Sequence, residues 1–134
     1  MRYVPAMTPA PIVDPERYER GLARYREIYG ADAVVFEPGQ AEFFDLMIAQ
    51  LFGEVWTRPA LAIPERRLLV MGVLVAQHRF DVLQIQFTCA LQQGELTVEQ
   101  VREVVIQLLP YVGYPASADL YRVSEAAVAA VAGS

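Results

Sequence analysis

Leu51-Phe-Gly-Glu-Val-Trp-Thr-Arg-Pro-Ala60, then Glu65-Arg66, then the apolar run 68–76, then Ala90-Leu-Gln-Gln-Gly94 with Leu96-Thr97 behind it: this order decides the fold. Pro64 suits the first turn of a helix, where its missing N–H costs nothing. The helix it opens, about Glu65 to Gln77, is apolar nearly all round, as expected at the centre of a bundle or an interface. His78-Arg79 interrupts it, and Asp81 begins a fourth helix that ends before Gly94. Thr97-Val-Glu-Gln100 is a capping box, in which the Thr and Gln side chains satisfy orphan backbone donors reciprocally. The fifth helix it opens turns Val98, Val101, Val104, Val105 and Leu108 inward, and Pro110 is expected to end or kink it.

Outward from this centre the pattern stays helical. Asp14-Pro15-Glu16 is a helix start, and Tyr18, Leu22, Tyr25 and Ile28 follow at helical spacing up to Gly30. A second helix is expected over 41–52, with Phe44, Met47, Ile48 and Leu51 on one face. Ser117 is expected to cap a last helix of small residues, 118–130. No strand longer than a few residues is expected, and Ala33 to Phe36 is the weakest part of that reading. The chain reads as all-α, one domain over 1–134, with an extended Pro-rich arm over 1–13.

Composition limits the function. The chain of 134 residues is 54% hydrophobic with a formal net charge of −5, and its mean hydropathy is +0.25. No Lys/Arg block stands out, so nucleic acid is not expected as a partner. The run 68–76 is far short of the roughly 20 residues that span a bilayer, so no membrane is expected either. An apolar surplus in a small domain is hidden most cheaply by self-association, which points to a homo-oligomer. One cysteine forbids an internal disulfide, and one cysteine with one histidine cannot make a Cys/His zinc site. No metal or other cofactor is implied, and the expected compartment is the cytoplasm.

The central order, with Tyr111-x-Gly-Tyr-Pro115 beyond it and Arg17-Tyr-Glu-Arg-Gly-Leu22 before it, resembles the carboxymuconolactone decarboxylase family. The resemblance implies an alkylhydroperoxidase D-like helical bundle assembled as a trimer or hexamer, with sites near subunit contacts. It also implies a lyase acting on a small unsaturated acid, lactone or β-keto acid through an enolate-type intermediate. Two alternatives stand beside it: a non-catalytic ligand-binding or structural member, and an isomerase or dehydratase of a secondary pathway using the same pocket. The peroxidase branch carries two cysteines one turn apart, and this chain has only Cys89, so peroxidase chemistry is not expected.

Gln86 stands where the family usually has histidine; it can hydrogen-bond a substrate oxygen but cannot take a proton. Arg79, two helical turns earlier, precedes the N-terminus of the fourth helix, a place that favours anions, and is a candidate clamp for a substrate carboxylate. His78 and Glu54 are the candidate proton donors or acceptors. Trp56 and Tyr111 are candidate pocket walls, since aromatics line the pocket in the family. Arg67 lies near the place where the peroxidase branch has a glutamate relay, and joins the substrate-binding candidates. Each has a plain structural counterpart: a loop histidine, a surface ion pair, an interface amide, packing aromatics.

Overall fold

The computed structural model describes residues 12–134, so the expected arm over 1–13 falls almost wholly outside it. Among the described residues the fold is all-helical with no strand. The chain divides into two compact units, Met1–Ala60 and Leu61–Ser134.

In the first unit, α1 (Pro15–Tyr29) begins as the sequence implies, with the Asp14 carboxylate accepting the Arg17 N–H, and it stops at Gly30. The second helix differs from expectation. After one α-helical turn, α2 (Glu42–Leu46), the chain widens into a π-helix over Met47–Val55, sealed by the bond from Trp56 N–H to the Leu51 carbonyl. Wider turns shift the buried face. Phe44, Asp45, Ile48, Ala49, Phe52, Gly53 and Trp56 go inward at intervals of four, whereas the expected Leu51 is exposed.

Two glycines let α1 and the π-helix approach backbone to backbone. The Cα of Gly21 lies 3.4 Å from where a Cβ on Gly53 would be, and a Cβ on Gly21 would stand 1.8 Å from the Ile48 carbonyl oxygen. Tyr25, Tyr29, Phe44, Phe52 and Trp56 pack edge-to-face or tilted beside this crossing. The buried Asp45 carboxylate accepts the N–H groups of Ile12 and Gly39, tying two loop segments to α2. Burial first, and the Asp45 charge second, push the Tyr18 hydroxyl above its ordinary pKa.

The second unit is built from α3 (Ile63–Ala76), α4 (Phe80–Gln92), α5 (Val98–Val112) and α6 (Ser117–Ala132). Its core is Met71, Val75, Leu83, Phe87, Ala90, Val101, Leu120, Val123 and Ala127, with α4 packed along α6. The small residues of α6 at positions 124 and 127 share the buried face with Leu120 and Val123, at helical spacing. The capping box forms at Thr97 and Gln100. Pro110 does not end α5, which runs two residues further to Val112 before Gly113 stops it. Ser117 is the first residue of α6 and makes no capping bond to it. Of α3's apolar circumference only Arg67, Met71 and Val75 are buried, one residue every four, while Leu68, Leu69 and Val73 stay exposed.

Both α3 and α4 end in the same turn. At the end of α3, His78 N–H bonds the Val75 carbonyl and Arg79 N–H the Leu74 carbonyl. At the end of α4, Gly94 and Glu95 bond Leu91 and Ala90 in the same way. This double closure requires a left-handed residue, which is Gly94 (φ 70°) in one case and His78 (φ 56°) in the other. No helix of the described residues is long and apolar enough to cross a membrane.

Candidate active site

Helical spacing places two polar side chains on faces that should be apolar. Arg67 extends the buried row of Met71 and Val75 back by one turn of α3, and Gln86 interrupts the row Leu83, Phe87, Ala90 of α4. They meet. Arg67 Nη1 donates to Gln86 Oε1 at 2.9 Å. The third partner comes from the turn after α4. Left-handed Gly94 reverses the chain so that Glu95 faces α3, and its carboxylate takes Arg67 in two-pronged fashion, Nε to Oε2 at 2.6 Å and Nη2 to Oε1 at 3.0 Å. The side chains are 1% (Arg67) and 8% (Glu95) exposed, and Gln86 is 1% exposed.

Burying an arginine costs several kcal/mol unless a carboxylate and further acceptors surround it, and here both do. Arginine has no acceptor, so only the amide oxygen of Gln86 can face it; the amide orientation is fixed by chemistry. Cys89, one turn beyond Gln86, is buried as a small core residue, and burial pushes its thiol up. Arg67 draws it down and Glu95 adds to the rise, so both charges reach it. A thiol so placed is a poor nucleophile at neutral pH.

Cys89 also forms part of the floor of a groove of about 450 Å³ between α4 and α6, lined by Asp81, Gln84, Ile85, Thr88, Cys89 and Arg122. That volume suits a small ligand. Arg122 presents a cation there and pairs with Asp119 at 3.2 Å. Asp81, at the other end, pairs with Arg79, and that hydrogen bond holds the Asp81 carboxyl below its usual pKa.

The structure therefore joins Arg67 to Gln86 and keeps Arg79 apart from both: Arg79 is exposed on the Asp81 side, although two helical turns separate it from Gln86. His78 is exposed in its left-handed turn and stacks on Phe80 at 5.5 Å. Tyr111 is 80% exposed. In the first unit, Glu54 pairs with Arg17 at the surface, and Trp56 is buried against Phe52. Among the described residues no three His, Cys, Asp or Glu side chains gather as a metal ion would require.

Glu95 and Arg122 escaped the sequence reading. Arg122 gives no signal beyond being a charge on a helix of small residues. Glu95 does give one. The residue after a left-handed helix stop is commonly apolar and packs back on the helix, so a glutamate there marks a carboxylate drawn inward.

The carboxymuconolactone decarboxylase family profile matches residues 41–126, which include Arg67, Arg79, Gln86, Glu95 and Arg122. The chain is 29% identical over 109 residues to the 4-carboxymuconolactone decarboxylase of Acinetobacter baylyi, covering 78% of this chain and 81% of that protein. It is 26% identical over 107 residues to the nitrosuccinic acid decarboxylase of Metarhizium robertsii, covering 73% and 71%. No solved structure matches significantly.

Proposed function

The chain belongs to the carboxymuconolactone decarboxylase family, and on that premise we propose that it decarboxylates a small acid whose bonding electrons are taken up as an enolate or an enolate-like anion. Both relatives are named as decarboxylases, one of a lactone acid and one of a nitro acid. Lactone carbonyl and nitro groups share one property: an oxygen that accepts the electron pair when the C–COO⁻ bond breaks. Carbon dioxide leaves, negative charge appears on that oxygen, and a proton then reaches carbon. The protein's task is to hold the carboxylates and to meet the growing oxyanion with fixed donors.

The observation that carries this reading is the buried Arg67–Glu95 pair holding the Gln86 amide. A helical core needs no such group, and apolar residues of the same volume would usually be as stable or more so. Arg67 takes the oxygen of the amide, which fixes the orientation of the side chain. Arg122, which lines the α4 groove, supplies a cation for a substrate carboxylate. Gln86 cannot deliver the proton to carbon, so it comes from His78 or water. The exposed apolar side chains of α3 support assembly as a homo-oligomer, a trimer or hexamer. Light scattering at micromolar concentration should then give a multiple of the 15.0 kDa chain mass, and a monomer mass would remove this part.

The test is carbon dioxide release from 4-carboxymuconolactone, nitrosuccinic acid and a set of β-keto acids. Turnover of at least one is expected, with Gln86→Ala lowering kcat by about 10- to 100-fold. Gln86→His, which restores the residue usual in the family, should not raise turnover of 4-carboxymuconolactone. Arg67 lies beside the new imidazole and disfavours its protonated, proton-donating form. If these acids bind in calorimetry and none loses carbon dioxide, the chain is a binding protein of the family.

A further inference from the structure

We propose that the groove between α4 and α6 sorts acids by charge: it takes a small acid with a single carboxylate, held by Arg122 of α6, and a hydroxyl or amine donor, held by Asp81 and Thr88 of α4. The proposal rests on the decarboxylase reading only in taking the ligand for a small acid, and it names which acids the groove accepts. The two walls are chemically opposite. Arg122 is the cation among the described lining residues, and a guanidinium has donors and no acceptor. The α4 wall offers acceptors. The Thr88 hydroxyl gives its hydrogen to the Gln84 carbonyl at 2.8 Å, so its lone pairs remain for a ligand. Asp81 accepts from Arg79 at 3.3 and 3.4 Å, long contacts at the surface that a ligand donor can replace. Ile85 lies one turn from both Asp81 and Thr88 on the same face of α4 and supplies an apolar wall for the carbon chain of the ligand.

Neither charge cancels the other. Asp81 pairs with Arg79 and Arg122 with Asp119, and among the described residues no ion pair joins Asp81 to Arg122. The start of a helix favours an anion, and at α4 the chain fills that place itself, with Asp81 in the first turn. The hydrogen bond from Arg79 first, and the Val82 N–H second, hold the Asp81 carboxyl below its usual pKa, so its charge is present at neutral pH. Arg79, the neighbouring cation, does not line the groove. A second carboxylate brought to the α4 wall therefore meets a like charge, the repulsive element that separates one acid from another. The formal net charge of −5 adds to it at longer range.

The probes are 4-hydroxybutanoate, butanoate and succinate, which share a four-carbon chain and differ in what stands opposite the carboxylate. Each is titrated into ¹⁵N-labelled protein, and the backbone amide shifts of 81–89 and 117–125 report binding in the groove. 4-Hydroxybutanoate should bind the wild type most tightly, and succinate at least about 10-fold more weakly. Asp81→Asn keeps the shape and removes the charge at an exposed position, so it should fold as the wild type does and narrow that gap to about 3-fold or less. Arg122→Gln should weaken binding of all three by about 10-fold or more. Succinate binding the wild type as tightly as 4-hydroxybutanoate, a gap that survives Asp81→Asn, or no shift in these segments with any of the three would each overturn the proposal. Turnover is read separately. Should the acids sort as expected while none of the small acids tested for carbon dioxide release loses it, the decarboxylase reading fails and the groove stands. Should carbon dioxide be released while the three probes do not sort, the reading stands and this proposal fails.

Discussion

Arg67→Ala should cost the protein about 3–5 kcal/mol, because it strands the Glu95 carboxylate in the core and leaves the Gln86 oxygen without its donor. Small domains hold only about 5–15 kcal/mol in total, so the variant should unfold in mild denaturant. Urea titration followed by circular dichroism measures the loss. The mechanism is isolated by comparison with Arg67→Met paired with Glu95→Leu, which removes both charges and keeps the volume. That double variant should retain most of the stability, since paired burial yields little net energy while unpaired burial costs much. Equal losses in the two variants would show that packing around the guanidinium, and not its charge, holds this part of the core.

Gly21→Ala should be at least as damaging, for a steric reason in the other unit. The added methyl carbon would sit 1.8 Å from the Ile48 carbonyl oxygen and 2.6 Å from its carbon. Both are backbone atoms inside a hydrogen-bonded helix, so no rotamer change relieves the overlap. α1 must lift off the π-helix, and the buried Tyr18, Leu22 and Ile28 lose contacts as it does. Overpacking a fixed contact costs about 1–3 kcal/mol in ordinary cores, and this overlap puts the loss at or above the upper end. Amide exchange resolved by residue should show the loss across 15–55, with Gly53 among the affected positions. Unchanged protection there would mean that the helices have room to part.

Much of the fold could be read from punctuation. Asp14-Pro15, Gly30, Pro64, Gly94 and the Thr97–Gln100 box mark local hydrogen-bond needs that no tertiary context alters, and the helices begin and stop there. The faces were less legible. The stripe through Met47 and Leu51 assumes 3.6 residues per turn, and a π-helix breaks that assumption with no warning in composition. Pro110 was read by its missing N–H alone; so near the end of α5 the helix tolerates it and runs two residues on. At the candidate site, periodicity places Gln86 on the core face of α4, and the resemblance singles out the same residue. Arg67 could be placed nearby but not paired, because its partner Glu95 lies 28 residues ahead and arrives through the geometry of one turn. Spacing along one helix is what pairs Arg79 with Gln86 in the sequence. A bundle assembles its polar groups across helices, and spacing along one cannot show that.

The paired turns at 78 and 94 have a consequence for which sequences this fold can accept. Both demand the same left-handed backbone, and the chain pays for it with glycine at one and tolerates a histidine at the other. Strain alone would make the two positions equivalent. They differ in cargo: the turn at His78 delivers Arg79 to solvent, whereas the turn at Gly94 delivers the carboxylate that neutralises a buried arginine. Drift at 78 is therefore limited by local energy and by the exposed side chains of that turn. Drift at 94 is limited by an ion pair that the glycine never touches, and a residue without any functional group inherits the constraints of the site beyond it.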